Sequence, residues 1–362
     1  MRPENYYLLS SSNKLNTTRK SGYQKRAYAI AVLILLISIV ALPADGASAA
    51  SSSPIRLHSG DWDSIKLVNA VAIYILEEGY GYQTQIIPRP EKVLADSLSS
   101  GDIDVSLEVW KENHPVEFVR MIEEGKIIDL GPVYTNASQY FIIPKWTAEA
   151  YNITTLEDMK QHWHLFKDPR DPHQGLFFPG LISWFVYDVN IAKLRASGLD
   201  PYYNPITMPS GRSFEEVFMA AAMENRTIFG HYWAPSTVMG FDYWTALKEP
   251  DYGSSCSEGA VSLDPTYSLC PFDDAKVHKL IFPGLENRYP TVIAFFQKMD
   301  PGAEAISQTL AYGYLHSVHD YSDLARYYLK NNPERWEIWV DDSVRQKVSA
   351  ALDHDESGEL AP

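Results

Sequence analysis

From Pro54 onward, apolar and polar positions alternate between two periods. Ile55–His58 has the alternation of a short strand. A turn at Ser59-Gly60-Asp61-Trp62-Asp63 follows. Ile65, Val68, Ala72 and Leu76 then recur at helical spacing, with Ser64 as the expected N-cap and Gly79 and Gly81 as the stop. Gln83–Ile87 reads as a strand, Pro90–Leu98 as a helix and Ile103–Val109 as a strand. This βαβαβ succession predicts a parallel sheet. A second succession begins where Thr155 caps a helix running to Trp163. Gly175–Phe178 is its first strand, Trp184–Ala196 a helix ended by Gly198, and Ile206–Met208 a short strand. Ser213 is the expected cap of a helix from Phe214 to Glu224, and Thr227–Tyr232 is the next strand. A strand near Val277–Phe282 comes later, with helices near Pro290, at Ala303–Leu315 and at Tyr321–Lys330. Two such units predict two α/β lobes with a cleft between them. Residues 54–143 and 246–352 are expected in the first lobe, 144–245 in the second, and 353–362 as an acidic tail.

The first 50 residues break this pattern. Arg19, Lys20, Lys25 and Arg26 precede an apolar run from Ala27 to Leu42, and Pro43 and the small residues Gly46–Ala50 follow. That is the layout of a secretory signal. Either the run is cleaved or residues 27–42 are kept as an anchor, and in both cases the body is expected to be exported. The formal net charge is -15, with the Lys/Arg excess confined to the N-terminus. An acidic body lacks the basic footprint that nucleic acid requires. In an exported chain, the two cysteines, Cys256 and Cys270, are expected to form one disulfide around a loop. Their spacing and the lack of clustered histidines argue against zinc. Asn136, Asn152 and Asn225 each begin an N-x-S/T sequon, which carries a glycan only in a eukaryotic secretory route.

Candidate chemistry collects at the strand ends. In open parallel sheets, ligands sit beyond the carboxyl ends of the strands. Trp62 follows the first strand, Trp110 ends the third, and Trp233 ends the last strand of the second unit. Tryptophans also serve as core residues and as sugar-stacking platforms. Their joint placement favours a cage for a cation that offers no hydrogen-bond donor, such as a quaternary ammonium or sulfonium, held by the ring quadrupoles. The turn Gly180-Leu181-Ile182-Ser183 precedes a helix, so its amides suit an anion such as a ligand carboxylate. His114 is a second candidate donor to that carboxylate, with a surface loop histidine as the alternative.

Several motifs, taken in order, carry a resemblance to a family. They are Gly60-Asp61-Trp62-Asp63-Ser64, Gly101-Asp102-Ile103-Asp104-Val105 with Glu108-Val109-Trp110, Gly198-Leu199, Tyr232-Trp233-Ala234-Pro235, and Trp336-Glu337-Ile338-Trp339. Over residues 54–352 the chain resembles the glycine betaine/proline betaine substrate-binding proteins of ABC importers. The resemblance implies an α/β, type II periplasmic-binding-protein-like fold with a hinged cleft. It places Trp62, Trp110 and Trp233 at cage positions, Gly180 and Leu181 in a carboxylate-binding loop, and His114 as a carboxylate donor, with Trp184 in reserve as a fourth wall. It also implies an ABC permease as partner, no cofactor and no metal. Glu112 departs from the proline usual two residues after the cage tryptophan, which puts the loop carrying His114 in question. A sensor of the same fold and an enzyme acting on a betaine- or choline-like molecule are the rival readings. The chain has no G-x-S-x-G, H-E-x-x-H or P-loop motif to support the enzyme. With a carboxylate site present, glycine betaine is expected to bind more tightly than choline.

Overall fold

The computed structural model describes residues 53–114, 116–250, 271–272 and 274–359. The signal or anchor segment and the Cys256–Cys270 pair lie outside them. The first lobe begins with β1 (Ile55–Ser59), α1 (Asp63–Tyr74), β2 (Thr84–Pro88), α2 (Leu94–Ser99), β3 (Val105–Trp110) and β4 (Ile128–Pro132). β1 runs parallel to both β2 and β3, as the βαβαβ reading expects. All six residues of β3 are buried, which fits a central strand covered on both faces.

The chain then crosses into a second sheet. β5 (Ala137–Pro144) is its spine. β6 (Asp171–Phe177), α3 (Phe185–Ala196), β7 (Tyr203–Pro205), α4 (Gly211–Met223), β8 (Gly230–Ala234) and β9 (Trp244–Ala246) follow. β8 and β9 pair antiparallel with β5, while β6 and β7 pair in parallel. A bridge between Phe178 and Gly230 ties the β6 side to β8. The chain returns at Asp274–Ala275, which still pairs with β5. Two residues on, β10 (Val277–Ile281) lies antiparallel between β3 and β4 of the first sheet. α5 (Ala303–His316), α6 (Tyr321–Asn331) and α7 (Asp342–Glu359) complete the first lobe. The two passages between sheets, after β4 and before β10, are where a hinge belongs.

Local starts differ from the sequence reading in two places, for a shared reason. α1 begins at Asp63 with Trp62 as its extended N-cap residue, and the Asp63 carboxylate accepts the Ser64 N–H at 2.8 Å. Ser64 is therefore inside the helix, and its hydroxyl serves another group. α4 is capped by Ser210, whose Oγ accepts the Ser213 N–H while Ser213 Oγ accepts the Ser210 N–H. Ser213 is thus the third residue of a reciprocal capping box and not the cap itself. The segment read as an acidic tail continues α7, where Asp355 accepts a hydrogen bond from Tyr74 at 3.1 Å.

The largest buried apolar cluster joins α1, β1 and α5 of the first lobe to Phe178, Phe214, Phe218 and Tyr232 of the second. Phe141, Phe177, Tyr203 and Phe229 form a core within the second lobe. Leu94, Leu98, Ile103, Phe118 and Leu280 fill the outer face of the first sheet. The three sequon asparagines are exposed and sit at left-handed turn positions, with φ of 67°, 52° and 52° for Asn136, Asn152 and Asn225.

Candidate functional site

One cavity of about 30 Å³ lies between the lobes, and four of its walls are tryptophans. Trp62 and Trp110 come from the first lobe, Trp184 and Trp233 from the second. Trp184 meets Trp62 edge-on at 6.2 Å and Trp233 edge-on at 5.3 Å. Edge-to-face packing directs the electron-rich face of one ring at the electropositive edge of the next. Trp233 is stacked on Tyr232 at 4.7 Å, which fixes its plane. Trp62 lies so close over Gly60 that a Cβ there would fall 1.9 Å from the ring, so glycine is required before it.

A buried carboxylate holds the cage from behind. Glu108 Oε1 accepts the indole N–H of Trp62 at 2.8 Å, that of Trp110 at 3.0 Å and the Ser64 hydroxyl at 2.7 Å. Glu108 Oε2 accepts the Tyr134 hydroxyl at 3.1 Å. Trp233 donates its indole N–H to Ser64 Oγ at 3.4 Å, so it reaches the same carboxylate through one hydroxyl. Burial pushes Glu108 up to about 7, against the pull of its four donors. Three of the four cage rings are therefore oriented through one acidic group. The Trp184 indole N–H has no hydrogen-bond partner among the described residues. Like Trp233 it comes from the second lobe, but it is held by ring contacts, including Phe214 at 5.6 Å.

The rest of the cavity is polar. Asn113 and Gln139 exchange amide hydrogen bonds at 3.2 Å in both directions. His231 Nε2 lies 3.2 Å from the Gln139 amide oxygen. Burial, and then the charge of Lys193, push His231 down to about 3, so the ring is neutral at ordinary pH. Glu91 and Val186 complete the lining.

His114, Gly180 and Leu181 are not among the lining residues. Gly180, with φ of 113°, and Leu181 form the turn before α3, where the Trp184 N–H bonds back to the Leu181 carbonyl at 2.9 Å. His114 is buried between Phe118 and Phe185, at ring distances of 4.3 and 4.8 Å. Its Nε2 is 3.1 Å from Glu91 Oε1 but off the line of a hydrogen bond, and neither ring nitrogen has a hydrogen-bond partner among the described residues. The other Glu91 oxygen accepts the N–H of Phe185, the first residue of α3, at 2.8 Å.

Further links cross from lobe to lobe. The Gly211 N–H, which opens α4, donates to Asp61 at 3.0 Å. Thr237 gives Asp63 both its N–H and its hydroxyl at 2.6 Å. Burial and the negative charge of Asp63 push Glu215 of α4 up to about 8. At the rim, Lys92 and Asp188 form an exposed ion pair at 2.7 Å.

Two α/β lobes meeting at a ring-lined cavity define a solute-binding protein of the periplasmic type. Residues 53–331 match the family model described as the substrate binding domain of ABC-type glycine betaine transport systems, and the chain belongs to that family. The family is the extracellular or periplasmic substrate-binding component of ABC importers, and its members are binding proteins. The chain is 22% identical over 311 residues to the trimethylamine N-oxide-binding protein of Pelagibacter ubique, covering 83% of this chain and 95% of that one. Among solved structures, an ABC-transporter choline-binding protein in complex with choline superposes with a TM-score of 0.65 at 20% identity, covering 83% of this chain and 99% of that one. The glycine/betaine/L-proline-binding protein from Borrelia burgdorferi superposes with a TM-score of 0.62 at 18% identity, covering 82% and 99%. Among the described residues, no helix is long and apolar enough to cross a membrane.

Proposed function

We propose that this chain is an exported binding protein whose two lobes close on a small methylated onium compound and present it to an ABC permease. The observation that carries this reading is the cavity walled by Trp62, Trp110, Trp184 and Trp233, two from each lobe. A quaternary ammonium or sulfonium spreads its charge over methyl groups and needs faces, not hydrogen-bond acceptors. Each ring face contributes about 0.5–2 kcal/mol, more as water is excluded. Closure gains those contacts only when both lobes contribute, so ligand and closed form favour one another. Export rests on the basic flank and apolar run ending at Leu42. The relatives' names point the same way, since they bind choline, glycine betaine or trimethylamine N-oxide. Calorimetry on the exported body with choline, glycine betaine and trimethylamine N-oxide tests the reading. Saturable 1:1 binding of at least one, with the compound recovered unchanged, is the expected result. Absence of heat with all three rejects it, and turnover of the bound compound moves the chain to the enzyme class.

A further inference from the structure

The sequence reading gives a ligand carboxylate two partners: the amides of the turn at Gly180 and Leu181, and His114. In the folded protein His114 and the first N–H of the helix that follows this turn, that of Phe185, both face a carboxylate that the chain itself supplies. Glu91, 6% exposed, stands in the short turn after β2 and lines the tryptophan cavity. One of its oxygens takes the Phe185 N–H at the start of α3, and the other lies 3.1 Å from His114 Nε2. Glu91 belongs to the first lobe and Phe185 to the second. Their bond thus makes the link between lobes that the carboxylate of a bound betaine would otherwise make.

We propose that Glu91 is the specificity-determining residue of this site, acting as a built-in carboxylate that selects methylated onium compounds lacking a carboxylate of their own. A second carboxylate entering this end meets a like charge, and the Phe185 N–H at this helix start is already engaged. A ligand with only a cationic head leaves the Glu91 link intact and fills the ring-lined part. Selection by repulsion needs no extra attraction for the preferred ligand. This inference rests on the onium reading above and sharpens its ligand class. It also reverses the order expected from the sequence, in which glycine betaine exceeds choline.

The experiment is competitive calorimetry of the wild-type protein and of Glu91→Gln with choline, trimethylamine N-oxide and glycine betaine. Glutamine keeps an acceptor for the Phe185 N–H and removes the charge. The wild type is expected to bind choline or trimethylamine N-oxide at least tenfold more tightly than glycine betaine. In Glu91→Gln that gap should narrow at least tenfold, chiefly through tighter betaine binding. A wild type that binds glycine betaine as tightly as the other two overturns the inference while leaving the onium reading in place. So does a variant in which all three affinities fall by one common factor. Absence of binding by all three in the wild type removes the onium reading, and this inference with it. Should Glu91→Gln fail to fold, the wild-type order decides alone.

Discussion

The aromatic end of the cavity and its polar end are built in different ways. At the aromatic end, the cavity surface is the ring side chains themselves, and one buried acid, Glu108, is bonded directly or through Ser64 to three of them. At the polar end, Asn113, Gln139 and His231 are linked to one another, and Glu91 engages the start of α3. The first end offers unspent attraction to a cation. The second offers less to an anion, because Asn113 and Gln139 are tied to one another and the Phe185 N–H is engaged by Glu91. Affinity should therefore come from the rings, and discrimination from what the polar end refuses.

The largest test of this contrast concerns the acid behind the rings. Glu108 has a folded value near 7, against about 4.5 for an unburied glutamate. Its folded-state value is raised, so its contribution to stability is fully present below about pH 4.5 and is lost as pH rises through about 7. Between pH 4 and pH 8, Glu108→Gln should gain on the wild type by roughly 3 kcal/mol in unfolding free energy. Denaturant midpoints of the two proteins at both pH values check this. A difference that does not change with pH would mean the carboxylate is not desolvated as described.

A smaller effect is expected from a single ring. Trp233→Leu keeps an apolar side chain and removes one π face. It should weaken binding of a methylated onium by roughly 2 kcal/mol, about 30-fold, in calorimetry on the folded variant. Unchanged affinity would take that ring out of the cage. The smallest effect belongs to His114, which touches Glu91 but does not line the cavity. His114→Asn should change choline affinity by less than about threefold. A tenfold loss in the same titration would return His114 to direct ligand contact.

The same division governs what the sequence could disclose. The parallel β2-β1-β3 arrangement was legible because strand and helix periods alternate cleanly from Ile55 to Trp110. Trp62, Trp110 and Trp233 were legible because a strand end is both a position in the pattern and a place in the fold. Trp184 was visible only through the family resemblance. Glu108 carries a signal of its own: a charge inside the mostly apolar strand Val105–Trp110, two residues before Trp110, must find donors once buried. Glu91, Asn113, Gln139 and His231 had no such signal. Their roles depend on which loop of one lobe approaches which helix end of the other, and no local period encodes that. Ser64 and Ser213 were read as caps from residue type alone, whereas register decided what each one bonds.

The ion pair at the cleft rim has a separate effect. Lys92 and Asp188 face each other across the lobes at 2.7 Å with both side chains about one-third exposed. Such a pair contributes about 0.2–1 kcal/mol in dilute solution and weakens as the screening length falls from about 8 Å at physiological ionic strength to about 3 Å in molar salt. The bond from Phe185 to the buried Glu91 is more shielded from that change. In brine the rim should therefore open more often, while the cavity keeps its preference among ligands. Salt then acts on how fast solute is exchanged and leaves unaltered which solute is chosen.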